Sequence, residues 1–382
     1  MNDTIHMVGP VSAPERRTRL NKQVDVLLEM GLKVVFAGWE RVAGEATPPE
    51  GSRSADAIER HTLLKGGGYG GRKTLTYYPR WSWAVFNYVR SLPRDAVVFC
   101  LGFETAAPAL LASAGTRRRI LFDDADRMSM SFPFPAPVRK AIAGLEKLAS
   151  HRADVHVVPG FERYGWKHER MAILRNTPSS ADFAAARELD LQGELGLPPV
   201  EDAFTIYANG WVGETRGAPV LLSLMQKLEA RQQPARLLVI GRGDGDSFDR
   251  LALRGDVHVF GEMPQRKALA GYTISDLLFT FYDPRIPINR LAASNKWGDA
   301  IYLDTPFVVN SEVETARHFT DTGAGFAVDY DDTDALADLV VDLARNPARL
   351  EQARKALHRF REDYIPFDQR LGEIADRLRS SA

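Results

Sequence analysis

Asn295, Lys296 and Asp299 begin a short stretch with helical spacing that precedes an apolar run, Phe307 to Val309. The N-terminus of a helix presents unpaired backbone N–H groups and a partial positive charge, and a lysine there adds a full charge. Asp299 lies on the same helical face as Lys296 and can accept hydrogen bonds. These residue types suit an anion such as a phosphate. Alternatively, Asn295 caps the helix, and Lys296 and Asp299 are solvated residues of its first turn.

Three carboxylates follow another apolar segment, in the sequence ILFDDADRMSMSFPFP. The apolar run predicts a strand, and Asp123, Asp124 and Asp126 stand where it ends. A carboxylate at the end of a strand can remove a proton from a bound hydroxyl group. Two other interpretations stay open: one aspartate caps the following helix while the others are solvated, or the group binds a metal ion.

Glycines follow several apolar runs, where the backbone could approach a ligand closely. Gly241 and Gly243 form a Gly-x-Gly step after the run RLLVIG, although a plain turn explains such a step equally simply. Arg216 precedes Gly217, and an arginine can bind a diphosphate through two parallel hydrogen bonds, unless it is only a surface charge. The stretch KGGGYGGRK (65–73) is either a loop that closes over an acceptor or a surface loop.

The elements that must position these residues alternate between short apolar runs and amphipathic stretches, which predicts parallel, doubly wound sheets. In the first half, strands are predicted at 4–8, 33–38, 96–101, 119–123 and 154–159. In the second half, they are predicted at 204–209, 236–241, 256–261, 276–281 and 306–310. Ligands of such sheets bind at the carboxyl ends of the strands.

The length of 382 residues exceeds one ordinary hydrophobic core and indicates two domains. We expect an α/β fold with two tandem Rossmann-like domains facing a cleft, and C-terminal helices that return toward the first domain. The predicted boundaries are 1–185 for an acceptor-binding domain, 186–201 for a polar, Pro-containing linker, 202–363 for a donor-binding domain and 364–382 for a crossover helix.

Composition narrows the functional classes. The 49 Lys plus Arg nearly balance the 50 Asp plus Glu, which disfavours nucleic-acid binding. A single cysteine, Cys100, and the lack of a Cys/His cluster with metal-ligand spacing fit a reducing cytosol and no metal site. No signal peptide or membrane-spanning run is visible, so we expect a cytoplasmic protein.

Two basic clusters could attract an anionic partner. The first comprises Arg16, Arg17, Arg19 and Lys22 and begins a predicted helix, where positive charge is unfavourable without a partner. The second is the run 117–119. They predict peripheral contact with an anionic membrane surface or a lipid-diphosphate acceptor, or else form a solvated basic face.

Residues 200–330 resemble the nucleotide-sugar glycosyltransferases of GT-B fold, in particular bacterial exopolysaccharide and lipopolysaccharide enzymes. IYANGWVGETRG resembles the loop after the first strand of their donor domain, and LLVIGRGDGD resembles the following strand with its Gly-x-Gly step. VHVFGEMPQRKALAGYTISDLLFTFYDP and SNKWGDAIYLDTPFVV resemble the later donor segments, the second with its Asn-Lys pair, an acidic residue three positions on, and a Thr-Pro step before a strand.

This resemblance implies roles for the residues above. Lys296 would neutralise the donor diphosphate, Asp299 would bind the ribose, and Asp126, with Asp123 as partner, would be the base. No metal and no cofactor are implied, because the nucleoside-diphosphate sugar is itself the donor substrate. The implied donor-binding residues are Arg216, Gly217, Gly241, Gly243, Tyr282, Asn295, Lys296 and Asp299.

One departure from the family pattern concerns stereochemistry. Many retaining members carry two glutamates across the segment in which this chain has Leu291 and Asp299. The chain is thereby closer to divergent members, including inverting glucuronosyltransferase-like enzymes that keep the lysine. Whether the anomeric configuration is retained or inverted stays open.

The sequence therefore predicts transfer of a sugar from a nucleoside diphosphate to a lipid-linked glycan acceptor in polysaccharide biosynthesis. A non-catalytic nucleotide-sugar sensor or an inactive partner subunit of the same fold is the alternative. An NAD-dependent oxidoreductase ranks last, because GPVSAPE stands where the Gly-x-Gly-x-x-Gly turn after the first strand would be.

Overall fold

The computed structural model describes residues 3–48, 56–69, 71–131, 134–197, 203–292 and 294–380. The chain forms two compact units, the first comprising Met1–Asn176 and Phe367–Ala382, and the second Thr177–Pro366. Each unit is built on one sheet whose strands are all parallel. The predicted α/β class with two tandem Rossmann-like domains is confirmed.

The first unit has a seven-stranded sheet of order β3-β2-β1-β4-β5-β6-β7. Its strands are β1 Thr4–Gly9, β2 Lys33–Glu40, β3 Glu59–Lys65, β4 Val97–Leu101, β5 Arg119–Asp123, β6 Val155–Val158 and β7 Met171–Ile173. Its first helices are α1 Thr18–Glu29, α2 Gly71–Ser91, α3 Phe103–Ser113, α4 Met128–Ser131 and α5 Ala136–Arg152. The central strands are apolar almost throughout because helices cover both faces of the sheet.

The second unit has a six-stranded sheet of order β10-β9-β8-β11-β12-β13. Its strands are β8 Phe204–Val212, β9 Ala235–Gly243, β10 Val257–Phe260, β11 Leu277–Thr280, β12 Phe307–Asn310 and β13 Gly325–Val328. Its helices are α6 Ser180–Glu188, α7 Leu191–Glu194, α8 Ala218–Ala230, α9 Asp246–Ala252, α10 Gln265–Thr273, α11 Asn295–Tyr302, α12 Arg317–Thr320, α13 Thr333–Arg345 and α14 Pro347–Leu357. Two apolar clusters fill the two faces of this sheet.

The last helix, α15 (Phe367–Ser380), belongs to the first unit. Its apolar stripe, with Phe367, Leu371 and Leu378 fully buried, joins the cluster that also contains Leu20 and Val24 of α1. An amphipathic stripe of this kind is stable only against an apolar surface, and α1 with the sheet supplies it. The C-terminal helix therefore completes the first core, as the sequence analysis expected.

The boundary between the units falls at Asn176/Thr177, ahead of the predicted connection at 186–201. Residues 186–188 end α6, and α7 follows them, so this polar stretch is partly helical; residues 198–201 lie outside the described part of the chain. Ser179 caps α6 in a reciprocal capping box with Asp182, and Phe183 is buried in the second unit. Short helices thus stand where composition predicted a linker.

Gly241 lies where β8 and β9 pass closest together. It pairs with Gly210 in the parallel register and has φ of +143°. A Cβ atom on Gly241 would lie 2.0 Å from the carbonyl oxygen of Gly210, and backbone atoms in mid-sheet cannot move aside cheaply. Both the dihedral angle and the contact therefore require glycine at this position.

We predict that Gly241→Ala lowers the free energy of unfolding by about 2 kcal/mol or more, because the new methyl group strains the central strand pair. Thermal unfolding followed by circular dichroism measures the change. Gly255→Ala is the matched control, because a Cβ there meets no atom within 4 Å. Equal melting temperatures for the two variants would contradict the strain at Gly241.

Candidate functional site

The order in which the chain adds strands to the second sheet reverses between β8 and β11. These strands are neighbours, although the chain forms β9 and β10 between them. At such a point the loops that follow the two strands diverge and leave a crevice, where open α/β sheets bind their ligands. Arg216 follows β8, whereas Tyr282 and Lys296 follow β11. The structure thus brings three of the predicted donor residues to one edge of the sheet.

Lys296 is the second residue of α11, whose N-cap is Ser294. Its side chain is partly buried and reaches the end of β8, where its Cε lies 4.0 Å from the Cβ position of Gly210. Burial lowers the pKa of the ammonium group from 10.5 to about 8; the charge of Arg216 acts in the same direction, and Asp299 opposes both. Lys296 therefore pays a desolvation cost to keep its charge at this position.

Arg216 lies beside the same crevice. Its guanidinium carbon is 4.8 Å from the centre of the Tyr282 ring, a cation–π contact, and the Tyr282 hydroxyl donates to Ser294 Oγ at 2.7 Å. Within the described part of the chain, neither Arg216 nor Lys296 forms an ion pair. Two neighbouring cations without a bound carboxylate form a site that favours an anion of more than one charge.

Asp299 is held by a polar chain that the sequence analysis did not find. Asn209 Nδ2 donates to the Tyr272 hydroxyl at 3.0 Å, and that hydroxyl donates to Asp299 Oδ2 at 3.1 Å. Asn209 Oδ1 is buried and has no hydrogen-bond partner among the described residues. Asn209 could have been suspected because it closes the run FTIYAN, but nothing in the sequence connects it with Tyr272, 63 residues later.

The remaining predicted donor residues have local structural explanations. Gly217 is the N-cap of α8 with φ of +87°, and a Cβ there would lie 2.5 Å from the Phe279 ring. A Cβ on Gly243 would lie 2.2 Å from the Phe248 ring. Packing by itself accounts for these glycines and for Gly241. The side chain of Asn295, the first residue of α11, is exposed.

Asp123, one of the two predicted catalytic carboxylates, is buried in an ion pair. Arg19 donates to both of its carboxylate oxygens, at 2.7 and 2.9 Å, and Gln23 Nε2 donates to Oδ2 at 2.6 Å. These hydrogen bonds occupy the lone pairs of both carboxylate oxygens. Asp123 therefore anchors α1 to the end of β5, and the structure gives it no free oxygen for an acceptor proton.

Asp126, the other predicted catalytic residue, is exposed in the loop after β5. Its side chain is 80% exposed, and Oδ1 lies 3.7 Å from Arg163 Nη1. Asp124, between the two, is buried, with His156 Nε2 at 3.7 Å and the Tyr164 hydroxyl donating at 2.8 Å; burial raises its pKa. The three aspartates therefore occupy three different environments and do not form one cluster.

The basic cluster at 16–22 is only partly exposed. Arg19 pairs with Asp123 and Lys22 is buried, whereas Arg16 and Arg17 are exposed and Arg16 Nε donates to the Glu45 carbonyl oxygen at 3.2 Å. In the run 117–119, Arg118 and Arg119 donate to backbone carbonyl oxygens. Several of these guanidinium groups are thus used inside the first unit, and contact of the clusters with a lipid surface stays a prediction.

Comparisons of the whole chain with solved structures agree on its architecture. No protein-family profile matches the sequence, and no curated protein matches it. A glycosyltransferase from Rickettsia africae superposes with a TM-score of 0.68 at 14% identity, over 99% of each chain. Sucrose-phosphate synthase from Thermosynechococcus elongatus gives a TM-score of 0.68 at 15% identity, over 99% of this chain and 100% of that one.

The protein HepE of Anabaena, in a complex with UDP, gives a TM-score of 0.67 at 14% identity, over 99% of this chain and 100% of its own. These structures have the GT-B fold. The chain has the GT-B fold. In GT-B terms, the crevice between β8 and β11 belongs to the C-terminal domain, and the three aspartates belong to the N-terminal domain.

Two further features of this GT-B chain concern ions and membranes. Across the ranges that the structure describes, no group of three His, Cys, Asp or Glu side chains is arranged to hold a metal ion. Among the helices of the same ranges, none combines the length and the apolar character needed to cross a bilayer.

We predict that Arg216→Gln raises the pKa of Lys296 above about 8, because it removes a neighbouring positive charge. Nuclear magnetic resonance of isotopically labelled lysine side chains, recorded as a function of pH, measures this value. Arg231→Gln is the control, since Arg231 lies at the other end of α8 and pairs with Asp334. An unchanged Lys296 titration in Arg216→Gln would show that the two cations do not interact.

Proposed function

We propose that the protein is a glycosyltransferase that moves a sugar from a nucleoside-diphosphate sugar to a hydroxyl group of a glycan acceptor. The observation that carries this proposal is the pair of cations at the crevice of the second sheet, Lys296 and Arg216, which form no ion pair among the described residues. A diphosphate supplies the two negative charges that this pair lacks. Complexes of the similarly folded HepE with UDP and with UDP-glucose support the choice of ligand.

The neighbouring groups suit the rest of the donor. Backbone N–H groups at the start of α11 and the side chain of Asn295 would complete the phosphate contacts. Asp299, already oriented by Tyr272, would accept hydrogen bonds from the ribose hydroxyls, and the Tyr282 ring would hold the Arg216 guanidinium in place. Lys296 and Arg216 would also stabilise the charge that develops on the departing diphosphate. In this proposal the reaction uses no separate cofactor and no metal ion.

The acceptor hydroxyl must lose a proton as it attacks, and a carboxylate of the first unit would take it. Asp126 is the candidate that the sequence supplies. Its exposed position leaves it accessible to a substrate, although Arg163 partly neutralises it. The acceptor itself would be a glycan on a lipid carrier, as in polysaccharide biosynthesis, which requires contact with a membrane surface.

We predict that one of the nucleoside diphosphates UDP, GDP, dTDP and ADP raises the melting temperature of the protein, because a ligand that binds the native state stabilises it. CMP is the monophosphate control. Lys296→Ala should weaken that binding by roughly 10- to 100-fold, the loss typical of a charge-assisted hydrogen bond. In the parent protein the affinity should fall as pH rises above about 8, because the ammonium group then loses its proton.

Lys355→Ala is the control for this experiment, because Lys355 is an exposed lysine of α14 in the same unit. No response to any nucleotide, or equal affinity of the parent and Lys296→Ala, would refute the donor site. Release of the nucleoside diphosphate from its sugar, followed over time, separates an enzyme from a non-catalytic sugar-nucleotide sensor.

The membrane part of the proposal rests on α5 instead of the cluster at 16–22. Its one acidic residue, Glu146, is buried against Arg127 at 3.0 Å. Among the exposed residues of α5, four are basic and three are large and apolar: Arg139, Lys140, Lys147, Arg152, Val138, Leu145 and Leu148. A helix face with apolar groups and only positive charge complements an anionic bilayer surface, where each Lys or Arg contributes about 1 kcal/mol.

We predict that the protein floats with anionic vesicles and not with neutral ones, and that high salt releases it. Lys140→Glu/Lys147→Glu and Leu145→Ser/Leu148→Ser should each abolish flotation, because one removes charge attraction and the other removes apolar insertion. Lys355→Glu/Arg359→Glu, an exposed basic pair of the second unit, should float normally. Equal loss in this control pair, or no flotation of the parent protein, would refute the assignment to α5.

A further inference from the structure

The order of strand addition also reverses in the first sheet, between β1 and β4. These strands are neighbours, although β2 and β3 intervene in the chain, so the crevice rule applies to the loops that follow them. The loop after β1 begins at Pro10, and the loop after β4 consists of Gly102 before α3 begins at Phe103. Asp123 ends β5 and Asp126 follows it, one strand away from this crevice. The first carboxylate after β4, which borders this crevice, is that of Glu104.

Glu104 is the second residue of α3, and its carboxylate folds back over Gly102, the N-cap. Gly102 has φ of +77°, and a Cβ there would lie 2.7 Å from Glu104 Oε2, so the glycine makes room for the carboxylate. The side chain is partly exposed. In the described part of the chain it forms no ion pair and no hydrogen bond to another side chain. The carboxylate accepts a hydrogen bond from its own backbone N–H, and its partial exposure leaves it accessible to a substrate.

Charged groups from three other elements surround this carboxyl. Asp124 after β5 and Glu146 of α5 raise its pKa, and Arg41 after β2 lowers it. Burial is the largest effect; it raises the pKa of Glu104 from 4.5 to about 7, against the opposing hydrogen bond from the residue's own backbone N–H. A base is most effective when its pKa lies near the working pH, because it is then both available and sufficiently basic.

Arg41 gives the same crevice a cation. Its guanidinium carbon lies 3.7 Å from the centre of the Trp39 ring, and Nε donates to the Pro10 carbonyl oxygen at 3.2 Å. It is buried and forms no ion pair among the described residues. Ser12 Oγ, in the loop after β1, is also buried and has no hydrogen-bond partner there. Among the described residues, the crevice therefore combines a partly exposed carboxyl, a buried cation without an ion pair and a buried hydroxyl without a hydrogen-bond partner.

The glycine-rich loop adjoins this cluster through Arg41. The Trp39 indole N–H donates to the Gly66 carbonyl oxygen at 2.8 Å, and the backbone N–H of Gly68 donates to the Arg41 carbonyl oxygen at 3.2 Å. Gly70 of the same loop lies outside the described residues. The sequence analysis connected this loop with the acceptor, and the structure docks its first glycines beside Trp39 and Arg41.

We propose that Glu104 is the base that takes the proton of the acceptor hydroxyl, in the sugar transfer proposed above, on which this inference rests. The acceptor oxygen forms a bond to the anomeric carbon as its proton passes to the Glu104 carboxylate. The bond between the anomeric carbon and the diphosphate oxygen breaks, and the nucleoside diphosphate leaves with that electron pair. One direct displacement of this kind inverts the anomeric configuration. Arg41 acts on Glu104 as a positioning residue through its charge.

The first measurement needs no substrate and uses the full chain. A carboxyl whose pKa is raised in the folded state keeps its proton while the unfolded chain loses it, so the parent protein loses stability as pH rises from about 4.5 to about 7. Glu104→Gln cannot lose this proton. It should melt at a higher temperature than the parent above about pH 7, and at the same temperature below about pH 4.5.

The second measurement follows nucleoside-diphosphate release from UDP-glucose, UDP-glucuronate and GDP-mannose, with water in the place of the acceptor. The parent rate should rise about tenfold per pH unit up to about pH 7 and then level. Glu104→Gln should lower the rate by roughly a hundred- to ten-thousand-fold and remove this acid limb, with nucleotide affinity unchanged. Glu104→Asp should recover part of the rate with the limb at lower pH.

Glu162→Gln is the matched control, because Glu162 likewise folds back over a glycine, Gly160, after β6, but is exposed. It should keep the parent profile. A parent rate in Glu104→Gln with nucleotide binding intact would overturn this inference and leave the proposed function standing. The large loss in Asp126→Asn alone would place the base at Asp126 and also overturn it. Absence of both nucleotide binding and release would overturn the proposed function together with this inference.

Discussion

Two positive charges that form no ion pair with a described carboxylate lie at the crevice of the second sheet, and the local structure depends on this constraint. Burial lowers the pKa of Lys296 to about 8; the charge of Arg216 acts in the same direction, and that of Asp299 opposes it. Such an arrangement costs stability in the free protein, and a bound anion offsets part of that cost. The surroundings hold it in place: Tyr282 stacks on Arg216 and fixes Ser294, which caps α11.

Two buried carboxylates of the first unit are paired with arginines. Arg19 neutralises Asp123, and Arg127 neutralises Glu146, each with hydrogen bonds that use the carboxylate oxygens. These pairs anchor α1 and α5 to the first unit and leave no group free for chemistry. Within the described residues, Lys296, Arg216 and Glu104 form no ion pair and follow strands that border the crevices of their sheets. Arg41, also without an ion pair there, follows β2, the neighbour of β1. Strained groups and charges without a partner concentrate where ligands bind, because the bound ligand supplies the missing opposite charge or hydrogen bond.

The two units place their candidate functional groups at similar positions in their sheets. In each, the order of strand addition reverses between the first and the fourth strand of the sheet. The α-helix that follows the fourth strand has a functional candidate as its second residue: Glu104 in α3 and Lys296 in α11. A carboxylate is stabilised in its charged form by a helix N-terminus, whereas an ammonium there is not. The pKa of each group nevertheless moves against its charge, because burial is the largest effect at both positions.

The sequence by itself predicted most of the strands, their parallel arrangement and the two-unit fold, because runs such as FTIYAN and RLLVIG are apolar and alternate with amphipathic helices. It did not predict β3, β7 and β13. It also selected Lys296 and Arg216 as donor residues; the structure places both at the crevice of the second sheet, and their role stays a prediction. Only the tertiary structure decided which charges are paired. Arg19 and Asp123 are 104 residues apart, and Asn209 and Tyr272 are 63 apart, so no local pattern reports their contact. The same three aspartates look alike in the sequence, but burial and distant partners give each a different environment, and those quantities exist only in the folded chain.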